Sequence, residues 1–233
     1  MNIPKSSRQR IIDHGEVFTP PGLVNDMLDL VAHECERIDS RFLEPACGDG
    51  NFLAEVLRRK LLTVDKRNTR NRDKWERDAI LAVCSLYGID LLSDNIATCR
   101  KRLLKVVADA HAARFNAPLP EDAARAAAFI LSKNIVQGDA LTFRTPSARP
   151  IVFPEWSPVN GSMLKRRDFS YETLLDCGAE PTQLLLFPEQ TPVQLNFLSD
   201  MGENLFVPKP VAEFPPCHYL KLHEAEAPHL ERP

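Results

Sequence analysis

From Gly22 to Ile38 apolar residues recur at helical spacing, with Leu23, Val24, Met27, Leu28 and Val31 on one side. That periodicity predicts an amphipathic helix, and Pro20 and Pro21 stand just ahead of it as a start signal. A short apolar run at Arg41 to Glu44 meets a glycine-rich turn, and helical spacing resumes from Phe52 to Leu62. The order is strand, tight turn, helix. A densely charged run, Lys66 to Arg77, reads as an insertion before an apolar helix at Ala79 to Leu86.

Tyr87 to Leu91 predicts a second strand, and Ser93 an N-cap for a long helix from Asp94 to about Phe115. Pro118 and Pro120 break the pattern before a helix at about Glu121 to Ser132. Asn134 to Gln137 predicts a third strand ending at Gly138-Asp139, and Ile151 to Phe153 a fourth. Such alternation points to an α/β fold, a mostly parallel sheet with helices on both faces. Beyond Thr145 the helical period fades and 13 of the 19 prolines accumulate. That Pro-rich C-terminal extension is expected as loops and short strands, with Leu184 to Phe187, Asn204 to Val207 and His218 to Leu222 as candidates.

With 233 residues, 44% of them hydrophobic, the chain has material for one sizeable core. The expected division is a core over residues 1–160 and an extension over 161–233 that packs on it. A formal charge of −3 excludes a generally basic polyanion binder, so contact with nucleic acid would need local patches. Two such patches are the Lys66 to Arg77 run and Lys165-Arg166-Arg167; each reads equally as a solvated charged face. The six cysteines include no Cys-x-x-Cys pair, and no run approaches the roughly 18 apolar residues of a membrane span. The first ten residues are polar and basic. A reduced, cytoplasmic protein that contacts no membrane is the expectation. Cys217, His218 and His223 match no ligand spacing, so no metal is expected.

Three strand ends carry special residues, and in open α/β sheets ligands sit at such ends. Gly48 and Gly50 let backbone approach a ligand, and the helix starting near Asn51 offers free amides. Leu53 stands where a dinucleotide fingerprint wants a small residue, which argues against NAD. Asp90, ending the second strand, suits a ribose hydroxyl pair. Asp139, ending the third, is placed for an adenine amino group, with Ala140 and Leu141 beside the ring.

These residues resemble the adenine-N6 DNA methyltransferases of restriction-modification systems. Gly15-Glu16-Val17-Phe18-Thr19-Pro20 with Leu23-Val24 is similar to their N-terminal motif, Glu44-Pro45-Ala46-Cys47-Gly48-Asp49-Gly50-Asn51-Phe52-Leu53 to their cofactor loop, and Tyr87-Gly88-Ile89-Asp90-Leu91 with Gly138-Asp139-Ala140-Leu141 to the next two. The resemblance covers about residues 11–145. It implies a Rossmann-like fold and S-adenosylmethionine as cofactor. Thr19 would meet the methionine end, and Glu44 and the Gly48 to Gly50 loop its amino and carboxylate groups. Asp90 would hold the ribose and Asp139 the adenine, with Ala46, Asn51, Phe52, Leu91 and Ala140 completing the site.

The family's catalytic motif, (Asn/Asp/Ser)-Pro-Pro-(Tyr/Phe/Trp), is absent in intact form. There the first side chain accepts from the target amino group and the aromatic stacks on a flipped-out base. Residues 153–160 hold the nearest pieces: Trp156 as the stacking ring, Ser157 or Asn160 as acceptor, and Pro158. Phe214-Pro215-Pro216-Cys217 reads as a turn. The resemblance implies transfer to adenine N6 in DNA, with a specificity or restriction subunit as partner, since the tail is short for a target-recognition domain. A non-catalytic cofactor-binding subunit, or methylation of RNA or a protein amide, are the alternatives.

Overall fold

The computed structural model describes residues 19–68, 71–175 and 208–225, and the backbone of 197–198 and 204–205. Helix α1 (Pro21–Asp29) starts on proline and buries Val24 and Leu28. The single helix expected to Ile38 is broken. Val31 leaves helical geometry at φ −122°, ψ 30°, and a one-turn helix α2 (Ala32–Cys35) follows. Of the predicted apolar stripe, Val24 and Leu28 are buried and Leu23, Met27 and Val31 stay exposed among the described residues.

Strand β1 (Phe42–Glu44) leads into α3 (Asn51–Arg67), α4 (Arg72–Cys84) and β2 (Leu86–Asp90). The described part of the charged run is therefore mostly helical, ending α3 and opening α4. Lys66 and Arg67 close the last turn of α3, where cations favour the helix dipole. Asn71 caps α4 by accepting from the Lys74 amide at 2.8 Å, and Trp75, Ala79, Ile80 and Val83 bury the inner face of α4. Lys60 of α3 is fully buried and donates to the carbonyls of Arg37, Ile38 and Ser40 at 2.8, 3.1 and 2.6 Å. Its ammonium thus holds the chain that enters β1.

Helix α5 (Ser93–Phe115) and α6 (Glu121–Asn134) precede β3 (Ile135–Gln137). The N-cap of α5 is Leu92 rather than Ser93, and no side chain caps it directly. The three strands form a parallel sheet in the order β1-β2-β3, in register Phe42 to Leu86 and Gly88 to Ile135. The chain is thus mixed α/β around a parallel sheet.

The expected fourth parallel strand is corrected. Val152–Asn160 forms β4, antiparallel to β5 (Met163–Ser170) around Gly161, in a sheet of its own. The buried residues divide accordingly. Leu86 joins the helical core with Leu53, Val64, Trp75, Leu103 and Ile130, whereas Tyr87 and Ile89 cluster with Ile151, Phe153 and Tyr171. Alternate residues of β2 face opposite ways. Helices therefore cover one face of the sheet, and the start of the hairpin with the short helix α7 (Tyr171–Leu175) meets the other. Helices on both faces were expected; a strand pair with Pro154 and Pro158 takes the second place.

Strands β6 (Phe197–Leu198) and β7 (Asn204–Leu205) pair with each other. The predicted strand at Leu184 to Phe187 lies outside the described residues, as do 206–207 of the next. Strands β8 (Ala212–Glu213) and β9 (Cys217–His218) pair with β5. The strand expected at His218 to Leu222 is instead a 3₁₀ turn, Tyr219–Glu224, packed on α6 with Tyr219 and Leu222 in the helical core.

Candidate functional site

Parallel pairing brings the carboxyl ends of β1, β2 and β3 to one end of the sheet, so Glu44, Asp90 and the Gly138-Asp139 turn are neighbours. After Glu44 the chain folds back over β2: the Cys47 amide donates to the Ile89 carbonyl at 2.8 Å, and the Gly50 amide to the Cys47 carbonyl at 2.9 Å. Gly48 and Gly50 have φ of +52° and +89°, which glycine adopts without strain. At Gly50 space also decides, since a Cβ would stand 2.7 Å from Cys99 Sγ of α5. Gly50 is the N-cap of α3 and offers no capping side chain, and no acid lies in the first turn. Among the described residues no side chain caps the first amides of α3, which lie at the positive end of its dipole.

Asp90 ties this loop to the sheet. Its Oδ2 accepts from the Gly48 amide at 2.9 Å, and its Oδ1 from the Leu92 amide at 2.9 Å and Asn95 Nδ2 at 3.1 Å. The carboxylate that caps the chain entering α5 is thus Asp90. Glu44 accepts from the Ala46 amide at 3.3 Å, and burial pushes its carboxyl above the usual range. Asp139 accepts from the Leu141 amide at 2.8 Å, and that bond, aided by Thr142, holds its carboxyl below the usual range. Beside these two aspartates Leu91 and Leu141 stand exposed, Leu141 at 89%.

The loop has a further support that the sequence reading missed. Arg102 of α5 donates through Nη2 to Asp49 Oδ2 at 2.6 Å and through Nη1 to Asn51 Oδ1. Arg102 and Cys99, three apart on α5, both face the loop. No local signal joins Arg102 to residues some fifty positions earlier. Glu44, Ala46, Gly48, Gly50, Asn51, Phe52, Asp90, Leu91, Asp139 and Ala140 all lie on the loop or at the strand ends. Thr19 stands just before α1, which Arg59 of α3 anchors through Asn25 and Asp29.

The residues expected to be catalytic do not join them. Trp156 is buried, and its indole N–H donates to Asn134 Oδ1 at 2.9 Å; Asn134 Nδ2 in turn donates to the carbonyls of Cys84 and Leu86. Those partners mark the amino ends of β3 and β2. Likewise Glu155 pairs at 2.6 Å with Arg41, which precedes β1. Trp156 thus sits at the far end of the sheet from the glycine loop, with Phe129 edge-on and the Arg166 guanidinium 5.6 Å from its ring. The ring that the resemblance would use for stacking is packed in the helical core. Ser157 and Pro158 line a cavity of about 190 Å³ at this same end, and Asn160 stands exposed near the hairpin turn.

The basic run of β5 is paired internally: Lys165 with Glu213, Arg166 with Asp168, and Arg167 with Glu155, at 3.2, 2.6 and 2.5 Å. Cys217 Sγ donates to the Lys221 carbonyl, and His218 Nδ1 accepts from the Leu220 amide. Among the described residues no group of His, Cys, Asp and Glu is placed to hold a metal, and no helix is long and apolar enough to cross a membrane. No protein-family model, curated protein or solved structure matches the chain.

Proposed function

We propose that this chain binds S-adenosylmethionine at the carboxyl ends of its parallel strands and serves as a cofactor-binding modification subunit of an adenine-N6 DNA methylation system. The observation that carries the reading is the convergence of three elements: the glycine loop without a capping side chain, the carboxylates of Glu44, Asp90 and Asp139 at the strand ends, and the exposed Leu91 and Leu141 next to the two aspartates in the chain. The donor set fits the molecule. Glu44 would accept from the ammonium group, and the first amides of α3 would hold the carboxylate. Asp90 would offer a ribose hydroxyl the one acceptor site left, of about four, beyond the three donors it already serves. Asp139 would accept from the adenine amino group, with Leu91, Ala140 and Leu141 against the ring.

When bound, the cofactor supplies an electrophilic methyl group on sulfur. The chain's own residues bind and orient that group, and catalysis of this kind is mainly positioning. The distance of Trp156 from the loop favours a subunit over a self-sufficient enzyme, because the chain's nearest match to a base-stacking motif is buried at the wrong end. DNA contact and the acceptor-binding segment are then expected from a partner subunit.

Calorimetry with S-adenosylmethionine is the direct test. Saturable binding is expected, and Asp139→Ala should weaken it by about tenfold or more, the usual loss for a charge-assisted contact. Absence of heat with both S-adenosylmethionine and S-adenosylhomocysteine would sink the cofactor reading. Methyl transfer to DNA by the isolated chain would instead sink the subunit reading and leave the cofactor site standing.

A further inference from the structure

The glycine loop carries an acid in an awkward place. Asp49 directly precedes the N-cap of α3, where the free amides would receive a carboxylate, and one anion beside another is unfavourable. Its Oδ1 is buried without a hydrogen-bond partner among the described residues, while its Oδ2 is held by Arg102. The same guanidinium reaches Asn51 on the other side of Gly50. One side chain from α5 therefore grips both flanks of the residue at φ +89°. Cys99, one turn earlier on α5, closes against Gly50 itself.

We infer that Arg102 is a positioning residue that makes the loop selective for ligands whose tail carries a carboxylate. The inference rests on the proposed nucleoside site and adds what discriminates within it. Arg102 does two things there. It cancels the charge of Asp49, so the dipole of α3 acts on the incoming carboxylate alone, and it fixes Asp49 and Asn51 so that the first amides of α3 stay open. A ligand's adenosine end, held by Asp90 and Asp139 on other strands, does not depend on this grip. Loss of Arg102 should accordingly weaken an amino-acid-bearing ligand and spare a bare nucleoside.

The experiment compares S-adenosylhomocysteine with 5′-methylthioadenosine, which keeps the adenosine and a neutral thioether and lacks the amino-acid tail. Binding of each is measured by calorimetry for the wild type, Arg102→Met and the double variant Asp49→Asn/Arg102→Met. Arg102→Met should lose about tenfold or more for S-adenosylhomocysteine and less than about threefold for 5′-methylthioadenosine. The double variant should recover most of that loss, since the repelling charge is gone. Equal losses for both ligands, with no recovery, would mean a structural role and overturn the inference. Unchanged affinity of Arg102→Met for both would overturn it too, with wild-type binding still supporting the site. Failure of the wild type to bind either ligand would overturn the site and the inference together.

Discussion

Lys60 shows how much a single side chain decides here. Burial pushes its ammonium down from near 10.5 to about 8, although three carbonyls accept from it. Below pH 8 the folded and unfolded chains both carry the proton, and the cost of the buried charge is present in full. Between about 8 and 10.5 the folded chain has released it while the unfolded chain retains it, so stability rises with pH there. The gain is at most about 3 kcal/mol. Lys60→Met should cost about 1–3 kcal/mol near pH 7 by leaving the carbonyls unpaired. Urea unfolding at about pH 7 and about pH 10 should show the wild type drawing further ahead of the variant; a constant gap would refute the assignment. Nothing in the sequence marks Lys60, because a lysine at a core position of a helix looks like any surface lysine until the loop behind it is known.

At the scale of elements, the strand-turn-helix at residues 42–67 and the two strand ends at Asp90 and Asp139 were legible, since glycine spacing and apolar runs are local signals. The Lys66 to Arg77 run was not, because its meaning depends on Trp75 packing edge-on against His111 and Phe115 of α5, a tertiary contact. The segment 151–160 misled for a related reason. A short apolar stretch reads the same whether it extends a parallel sheet or opens a hairpin, and only its pairing with Met163–Ser170 decides. The position of Trp156 can be tested through its one polar contact. Trp156→Phe keeps a ring and orphans Asn134 Oδ1, so it should lower stability by about 1–3 kcal/mol. Affinity for S-adenosylmethionine should stay unchanged by calorimetry, and a large loss would return this strand to the binding site.

In the whole molecule the sheet separates two kinds of work. Its carboxyl end is loop, carboxylates and exposed leucines; its amino end is a lock of Trp156, Asn134 and the Arg41–Glu155–Arg167 ion chain. Mixed α/β architecture was readable from the alternation of periods. The hairpin's claim on the second face, and the docking of Tyr219 and Leu222 on α6, were not, because both rest on residues far apart in the chain. Sites without shared partners contribute nearly additively, so the stability losses of Arg102→Met and Trp156→Phe should sum within about 0.5 kcal/mol in the double variant. Thermal melts of the four proteins measure this, and a coupling well beyond that value would mean that the ends communicate. The lock between Trp156 and Asn134 then has an evolutionary meaning. Residues at the amino end, even the hairpin, can be exchanged under the demands of folding alone, without disturbing the glycine loop at the opposite end.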